Sequence, residues 1–282
     1  MNKLLAILLL TLCISALPLE KDPPRLIVRG DDMGYAHSGN EALLHCSLHG
    51  IQTSIEVIVP SPWFPEAVQM LAGHPDIDVG VHIALTSEWD NIKWRPLTAC
   101  PSITDEDGYF YPMIYANPNY PERSIMENDW KLEEIETEIR AQIVMAKKKI
   151  KNLTHISGHM GCTSFDPKVA AMVKRLAKEY DLDIDLADHE VKYISYDGPH
   201  SSTDEKIDSF IKQLHTMEAG KTYLFVEHPG YDNAELRAIH HIGYENVAAD
   251  RQGVTNLFTS ELVKQVIRDL GIELISYADL VR

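Results

Sequence analysis

The sequence predicts an α/β protein of parallel strands with outer helices, a (β/α) barrel-like fold. Two observations carry that expectation. Short runs rich in Val, Ile and Leu alternate with segments of helical periodicity, which is the pattern of a parallel sheet covered by helices. No Gly-rich phosphate loop follows the first strand, which places the doubly wound open sheet second to the barrel.

The elements follow in order along the chain. "RLIV" starts the first strand, and "SGNEALLHCSLHG" is a helix that stops at Gly50. "SIEVIVP" is the second strand, "PEAVQMLAGHP" a short helix ending near Pro75, and "DVGVHIAL" the third strand. Residues 86–129 have no clear period and are rich in Pro, Asn, Trp and Tyr. They read as a long excursion, a feature that in a compact domain is usually functional.

Order returns with "WKLEEIETEIRAQIVMAKKKIKN", where Ile135, Ile139, Ile143 and Met145 share one helical face. Acidic residues come first there and lysines last, as the helix dipole prefers. "THISGH" is the fourth strand, "DPKVAAMVKRLAKEY" a helix and "LDIDLA" a weak strand. "STDEKIDSFIKQLHTM" is a capped helix, "TYLFVEHPG" a strongly apolar strand, "TSELVKQVIRDLG" a capped helix and "IELISYADL" the closing strand. No repeat or linker divides residues 22–282, which read as a single domain.

The first residues, "MNKLLAILLLTLCISAL", have a short n-region with Lys3, an apolar run and then the small residues Ser15 and Ala16. This is the pattern of a secretory signal peptide over 1–16, and the run is short for a membrane span. The expected location is therefore periplasmic or extracellular. Lipoprotein anchoring through Cys13 is the weaker reading, because Leu12 is a poor residue just before it. Behind the signal, Cys46, Cys100 and Cys162 show no C-x-x-C spacing. They allow one disulfide or three buried thiols, and no thiolate metal site.

A net charge of −16 argues against general nucleic-acid binding. Thirteen histidines leave room for a metal site. In parallel α/β folds, functional groups collect at the carboxyl ends of the strands. Asp31 and Asp32 end the first strand; His82 lies on the third, His155 and His159 on the fourth, and His228 ends the "TYLFVEHPG" strand. Each alone has a plainer reading, such as a turn or a satisfied core histidine, and the case rests on their joint placement.

One Asp with two His suits a catalytic divalent cation, Zn²⁺ first, with Mg²⁺ or Mn²⁺ also compatible. Residues four apart on a strand lie about 13 Å from each other, so His155 and His159 do not share one metal on a straight strand. His159, at the strand end, is the better ligand, and His155 reads as a core residue. Trp89, Trp94, Tyr109, Phe110 and Tyr111 lie in the long excursion. They either wall a sugar-binding surface or pack that loop onto the sheet.

The blocks "LIVRGDDMGYAHSGNEAL", "SLHGIQTS", "DVGVHIALT", "THISGHMG" and "EHPGYDNAELR", in this order and spacing, resemble those of the YdjC/ChbG-like carbohydrate deacetylases, of the chitooligosaccharide type. The resemblance runs from about residue 25 to 280. It implies a (β/α) barrel-like fold, one divalent metal ion (Mg²⁺ or Zn²⁺), and hydrolysis of acetamide groups on an amino sugar or oligosaccharide. By motif it implies Asp32, His82 and His159 as metal ligands, Asp31 as catalytic base and His228 as acid, with Trp89, Trp94 and Tyr109 as substrate-binding candidates. Ser157 stands where the family commonly has an acid, and a later histidine is absent, which marks a divergent branch.

Three other functions compete. A glycoside hydrolase needs two carboxylates at least about 5 Å apart across the bond, which adjacent aspartates fit poorly. A metal-dependent phosphoesterase fits the ligands, but no basic cluster accompanies them. A non-catalytic exported carbohydrate-binding protein fits the aromatics and the signal. A homodimer is a further expectation for the assembly.

Overall fold

The computed structural model describes residues 22–281; the expected signal over 1–16 and its cleavage point lie outside them. Seven parallel strands form one sheet: β1 (Arg25–Met33), β2 (Ser54–Val57), β3 (Asp78–Ile83), β4 (Leu153–Gly158), β5 (Lys192–Ile194), β6 (Thr222–Glu227) and β7 (Glu273–Leu274). Their order is β4-β3-β2-β1-β6-β5. The short β7 pairs with residues 25 and 26 of β1, on the edge that β2 takes over from Arg29 onward. The helices are α1 (His37–His49), α2 (Phe64–Ala72), α3 (Leu132–Lys149), α4 (Pro167–Glu179), α5 (Thr203–Leu214), α6 (Val247–Thr259) and α7 (Glu261–Asp269). None among the described residues is long and apolar enough to cross a membrane.

The two faces of the strands have different chemistry. Leu26 and Val28 of β1 pack outward with Phe225, Phe210, Val254 and Phe258, under α5, α6 and α7. Val79, Val81 and Ile83 of β3 pack outward with Ile135, Ile139, Ile143 and Val169 of α3 and α4. Burying such side chains gives about 1.5–3 kcal/mol each, so the helix layer holds the sheet together. The inner face is small and apolar at the base, where Ile27, Leu224, Ile275 and Tyr277 meet. Above it the inner face is polar, with Arg29, Asp31, Glu56, His82, His155 and Ser157 all buried.

The barrel-like fold matches the expectation, with an open seam. Among the described residues no ladder joins β4 to β5. Between them lies a cavity of about 660 Å³, lined by Ile156, Leu182, Ile184, Leu186 and Tyr193 and reaching inward to Arg29, Ser157 and Tyr277.

Two expectations are corrected here. "LDIDLA" is not a strand. Ile184 and Leu186 instead pack on the inner apolar base, so their alternation serves the plug of the seam, and the strand is Lys192–Ile194. Helix α6 was not expected, because the residues it buries include Arg251, Gly253 and Thr255, which blur an apolar stripe. The excursion over 86–129 has only two short 3-10 turns, Pro101–Ile103 and Ile125–Glu127. It docks on the core through Trp94, Ile103, Phe110, Ile114 and Ile125. Cys46, Cys100 and Cys162 are buried free thiols, the second of the two readings.

Candidate metal centre

Adjacent residues of a strand point to opposite faces, so Asp31 and Asp32 cannot both face inward on a regular β1. The strand solves this with an irregularity. Its register with β2 shifts between Gly30 and Met33, and Asp32 adopts a left-handed φ of 75°. Asp tolerates that region better than most residues, at a cost of about 1–3 kcal/mol. Gly34 follows with φ 113°, and its N–H donates to Asn40 Oδ1 at 2.7 Å, which turns the chain into α1. A side chain at 34 would meet Ser61 Oγ at 2.4 Å.

The bend gathers the groups expected at the strand ends. Asp32, His82 and His159 each offer a ligand atom, and these atoms all lie within 4.8 Å of one another in buried positions. His159 Nδ1 stands 3.1 Å and His82 Nε2 3.6 Å from Asp32 Oδ1. His82 Nε2 is also 3.7 Å from Asp31 Oδ2. His228 Nε2 lies 3.8 Å from Asp32 Oδ2, and its side chain is 38% exposed, so it stands at the mouth. His155 is elsewhere: it is fully buried, bonded through Nε2 to Glu56 Oε1 at 2.8 Å, as a core histidine should be.

The far nitrogens of both candidate ligands are anchored. His82 Nδ1 meets Ser157 Oγ at 2.7 Å, and His159 Nε2 meets Glu88 Oε2 at 3.0 Å. Such outer partners orient ligand histidines in metal sites. Asp32 Oδ1 is buried and completes no hydrogen bond, although two imidazole nitrogens face it. An oxygen and two nitrogens converging in this way, with one orphaned buried oxygen among them, fit a divalent cation.

The charges form a chain of opposites. Burial opposes ionisation of Asp32, yet His159, His228 and Arg251 outweigh it and hold its pKa well below the usual carboxylate value. Burial likewise opposes charge on His159, but Glu88 and Asp32 hold its pKa well above the usual imidazole value. His228 is raised too, with burial overcome by Asp32 and Glu227. His82 goes the other way: burial lowers it despite the nearby Asp31 and Asp32.

Several residues of the centre had no sequence signal. Arg29 holds Asp31 with a hydrogen bond from Nη2 to Oδ2 at 2.8 Å and an ion-pair contact of Nε with Oδ1 at 2.7 Å. Arg251 of α6 donates to Asp32 Oδ2 at 3.0 Å, with its guanidinium over the rings of Tyr35 and Trp89 at 4.5 and 5.2 Å. Glu88, from the start of the excursion, reaches His159.

Trp89 and Trp94 are corrected as open stacking faces. Trp89 is 1% and Trp94 3% exposed. Trp89 is occupied by Tyr35, His241, Tyr244 and Arg251. Trp94 donates from Nε1 to Thr86 O at 2.9 Å. Tyr109 lies under Arg95 at 4.4 Å and Phe110 is wholly buried. Trp89, Trp94 and Phe110 attach the excursion to the barrel, while Tyr109 stays half-buried with Arg95 over its ring.

Comparisons agree with this architecture. Residues 25–269 match the family described as YdjC-like protein. A carbohydrate deacetylase of Enterococcus faecalis is 26% identical over 272 residues, 91% of this chain and 98% of that one. A carbohydrate deacetylase of Thermus thermophilus is 36% identical over 157 residues, 56% of this chain and 51% of that one. A crystal structure from Enterococcus faecalis, of a candidate cellobiose-phosphate cleavage protein, has TM-score 0.72 at 24% identity and covers 92% of this chain and 99% of that one. That likeness is one of fold. On the family match over residues 25–269, the chain belongs to the YdjC-like protein family.

Proposed function

We propose that the protein is a metal-dependent carbohydrate deacetylase that hydrolyses the acetamide of an amino sugar or oligosaccharide to acetate and a free amine. The observation that carries the reading is the convergence of Asp32, His82 and His159 beside a second, separately held carboxylate, Asp31. The names of the relatives supply the substrate class. A divalent ion such as Zn²⁺ or Mg²⁺, held by Asp32, His82 and His159, would supply Lewis-acid polarisation of the acetyl carbonyl and acidify water.

The chain's own residues divide the remaining work. Asp31 takes the proton of the attacking water as general base. Arg29 donates to Asp31 Oδ2 and lies against Asp31 Oδ1, which favours one orientation of the carboxylate. His228, whose pKa is raised above the usual imidazole value by Asp32 and Glu227 and which is partly exposed at the mouth, gives its proton to the departing amine as the C–N bond breaks. Arg251 holds Asp32 from the side away from His159 and keeps that carboxylate ionised.

The test is acetate release from a panel of N- and O-acetylated sugars, with and without chelator. Release confined to acetamides and abolished by chelator is expected. Asp31→Asn should lower turnover by about 10²–10⁴-fold with metal content unchanged; full turnover in that variant would remove Asp31 from the base role. Export belongs to the same proposal and is supported by the sequence of residues 1–16. Recovery of a secreted chain beginning at Leu17 tests it.

A further inference from the structure

Glu56 is a carboxylate in the middle of β2, fully buried, and the chemistry above does not use it. A buried carboxylate is costly unless its oxygens are fully bonded, and here they are. Glu56 Oε1 receives Ser54 Oγ at 3.2 Å and His155 Nε2 at 2.8 Å, and Oε2 receives the hydroxyl of Ser157 in a close contact. Room for this group is made by Gly80 on β3, where a Cβ would sit 2.1 Å from Glu56 Oε2 and 2.6 Å from His155 Nε2. On the other side of Ser157 Oγ, at 2.7 Å, is His82 Nδ1.

The direction of these bonds follows from counting protons. A carboxylate only accepts, and a serine hydroxyl has one hydrogen to give. Ser157 spends that hydrogen on Glu56, so its oxygen can only accept from His82. His82 Nδ1 must therefore carry the ring proton. A neutral imidazole with its proton on Nδ1 carries its lone pair on Nε2, and Nε2 is the atom that faces Asp31 and Asp32.

We propose that Glu56, acting through the hydroxyl of Ser157, is a positioning residue that locks His82 in the Nδ1–H form and so presents Nε2 as a ready metal ligand. The role of a carboxylate partner to a ligand histidine is thus filled by two residues from two strands, β2 and β4. The inference rests on the reading of Asp32, His82 and His159 as the metal site, and its test separates the two.

The first measurement is the ¹⁵N spectrum of the imidazoles in the chelator-treated full-length protein at mildly alkaline pH. His82, assigned by its loss in His82→Gln, should show a protonated Nδ1 and a bare Nε2. In Ser157→Ala that signature should give way to a mixture of tautomers, whereas Ser157→Thr, which keeps a hydroxyl, should retain it. The second is Zn²⁺ affinity by calorimetry. Ser157→Ala and Glu56→Gln should each weaken it by about 10–100-fold, and Ser157→Thr should stay near the parent. A protonated Nε2 in the parent protein overturns the proposal, as does a Ser157→Ala variant unchanged in both tautomer and affinity. Should Ser157→Ala fail to fold, the parent spectrum alone decides. Should the parent bind no Zn²⁺, the metal reading falls while the tautomer result still judges the relay.

Discussion

Replacing Gly80 by Ala tests the crowded interior most sharply, because two effects of opposite sign compete. Glycine in a strand is entropically unfavourable, and Gly→Ala at a compatible site stabilises by about 0.4–1 kcal/mol. At Gly80 the new Cβ would lie 2.1 Å from Glu56 Oε2, 2.6 Å from His155 Nε2 and 2.7 Å from Glu56 Cδ. Comfortable heavy-atom contacts begin near 3.5 Å, so a retreat of about 1 Å is required. Neither partner can make it easily. Glu56 is held by Ser54, Ser157 and His155, and His155 is stacked on Tyr277 with centroids 3.6 Å apart and planes 7° apart. Overpacking alone costs about 1–3 kcal/mol, and separating a buried charged partner moves the cost toward about 3–5 kcal/mol. The net effect is destabilising. At about 2–4 °C per kcal/mol for a domain of this size, a net loss of about 2 kcal/mol or more should lower thermal unfolding of the metal-free protein by at least about 4 °C. A Gly80→Ala protein as stable as its parent, or more so, would refute the account of this interior.

The raised pKa of His159 sets a pH dependence. Its contribution to the metal-free fold is fully present below the unfolded imidazole pKa and is lost as pH rises through the folded value, while metal must displace the same proton. As pH rises above the ordinary imidazole value of about 6.5, melting temperature in chelator should therefore fall while Zn²⁺ affinity rises. Calorimetry in buffers of different ionisation enthalpy should show proton release on binding. Asp32 has the opposite sign: its depressed pKa contributes stability above the unfolded carboxylate value, lost as pH falls through the folded one. Arg251→Met should cost up to about 3–5 kcal/mol in urea unfolding, because Asp32 loses a buried partner; a loss below about 0.5 kcal/mol would contradict the pairing. Burial pushes the thiols of Cys46, Cys100 and Cys162 up to about 12, so a disulfide reagent should reach these three only on unfolding.

The sheet was legible because strands buried on their outer face are written in Val, Ile and Leu, and these runs interrupt helical periods cleanly. Legibility failed where side chains serve something other than that face. Leu182, Ile184 and Leu186 alternate as a strand would, yet they plug the seam, and the strand that follows begins with the exposed Lys192 and Tyr193. In the centre, Asp31, Asp32, His82 and His159 could be read from their positions at strand ends. Their partners could not. Arg29, Glu56 and Arg251 look in sequence like ordinary surface charges, and only the inward turn of each identifies it. Trp89 and Trp94 misled for the converse reason: aromatics in a polar loop suggest a binding wall, whereas here they are the anchors that let a loop without regular structure stay in place.

The seam between β4 and β5 gives the molecule a side door. In a closed barrel, small molecules reach the interior from the ends. Here the 660 Å³ cavity opens laterally and touches Arg29, Ser157 and Tyr277, the residues behind Asp31 and His82. The lining of this cavity includes none of Asp32, His82, His159 and His228, so the seam and the mouth, where His228 stands, are separate places on the molecule. A bulky side chain introduced at Ala170 or Ala177, which line the cavity on α4, would narrow the first while leaving the second open.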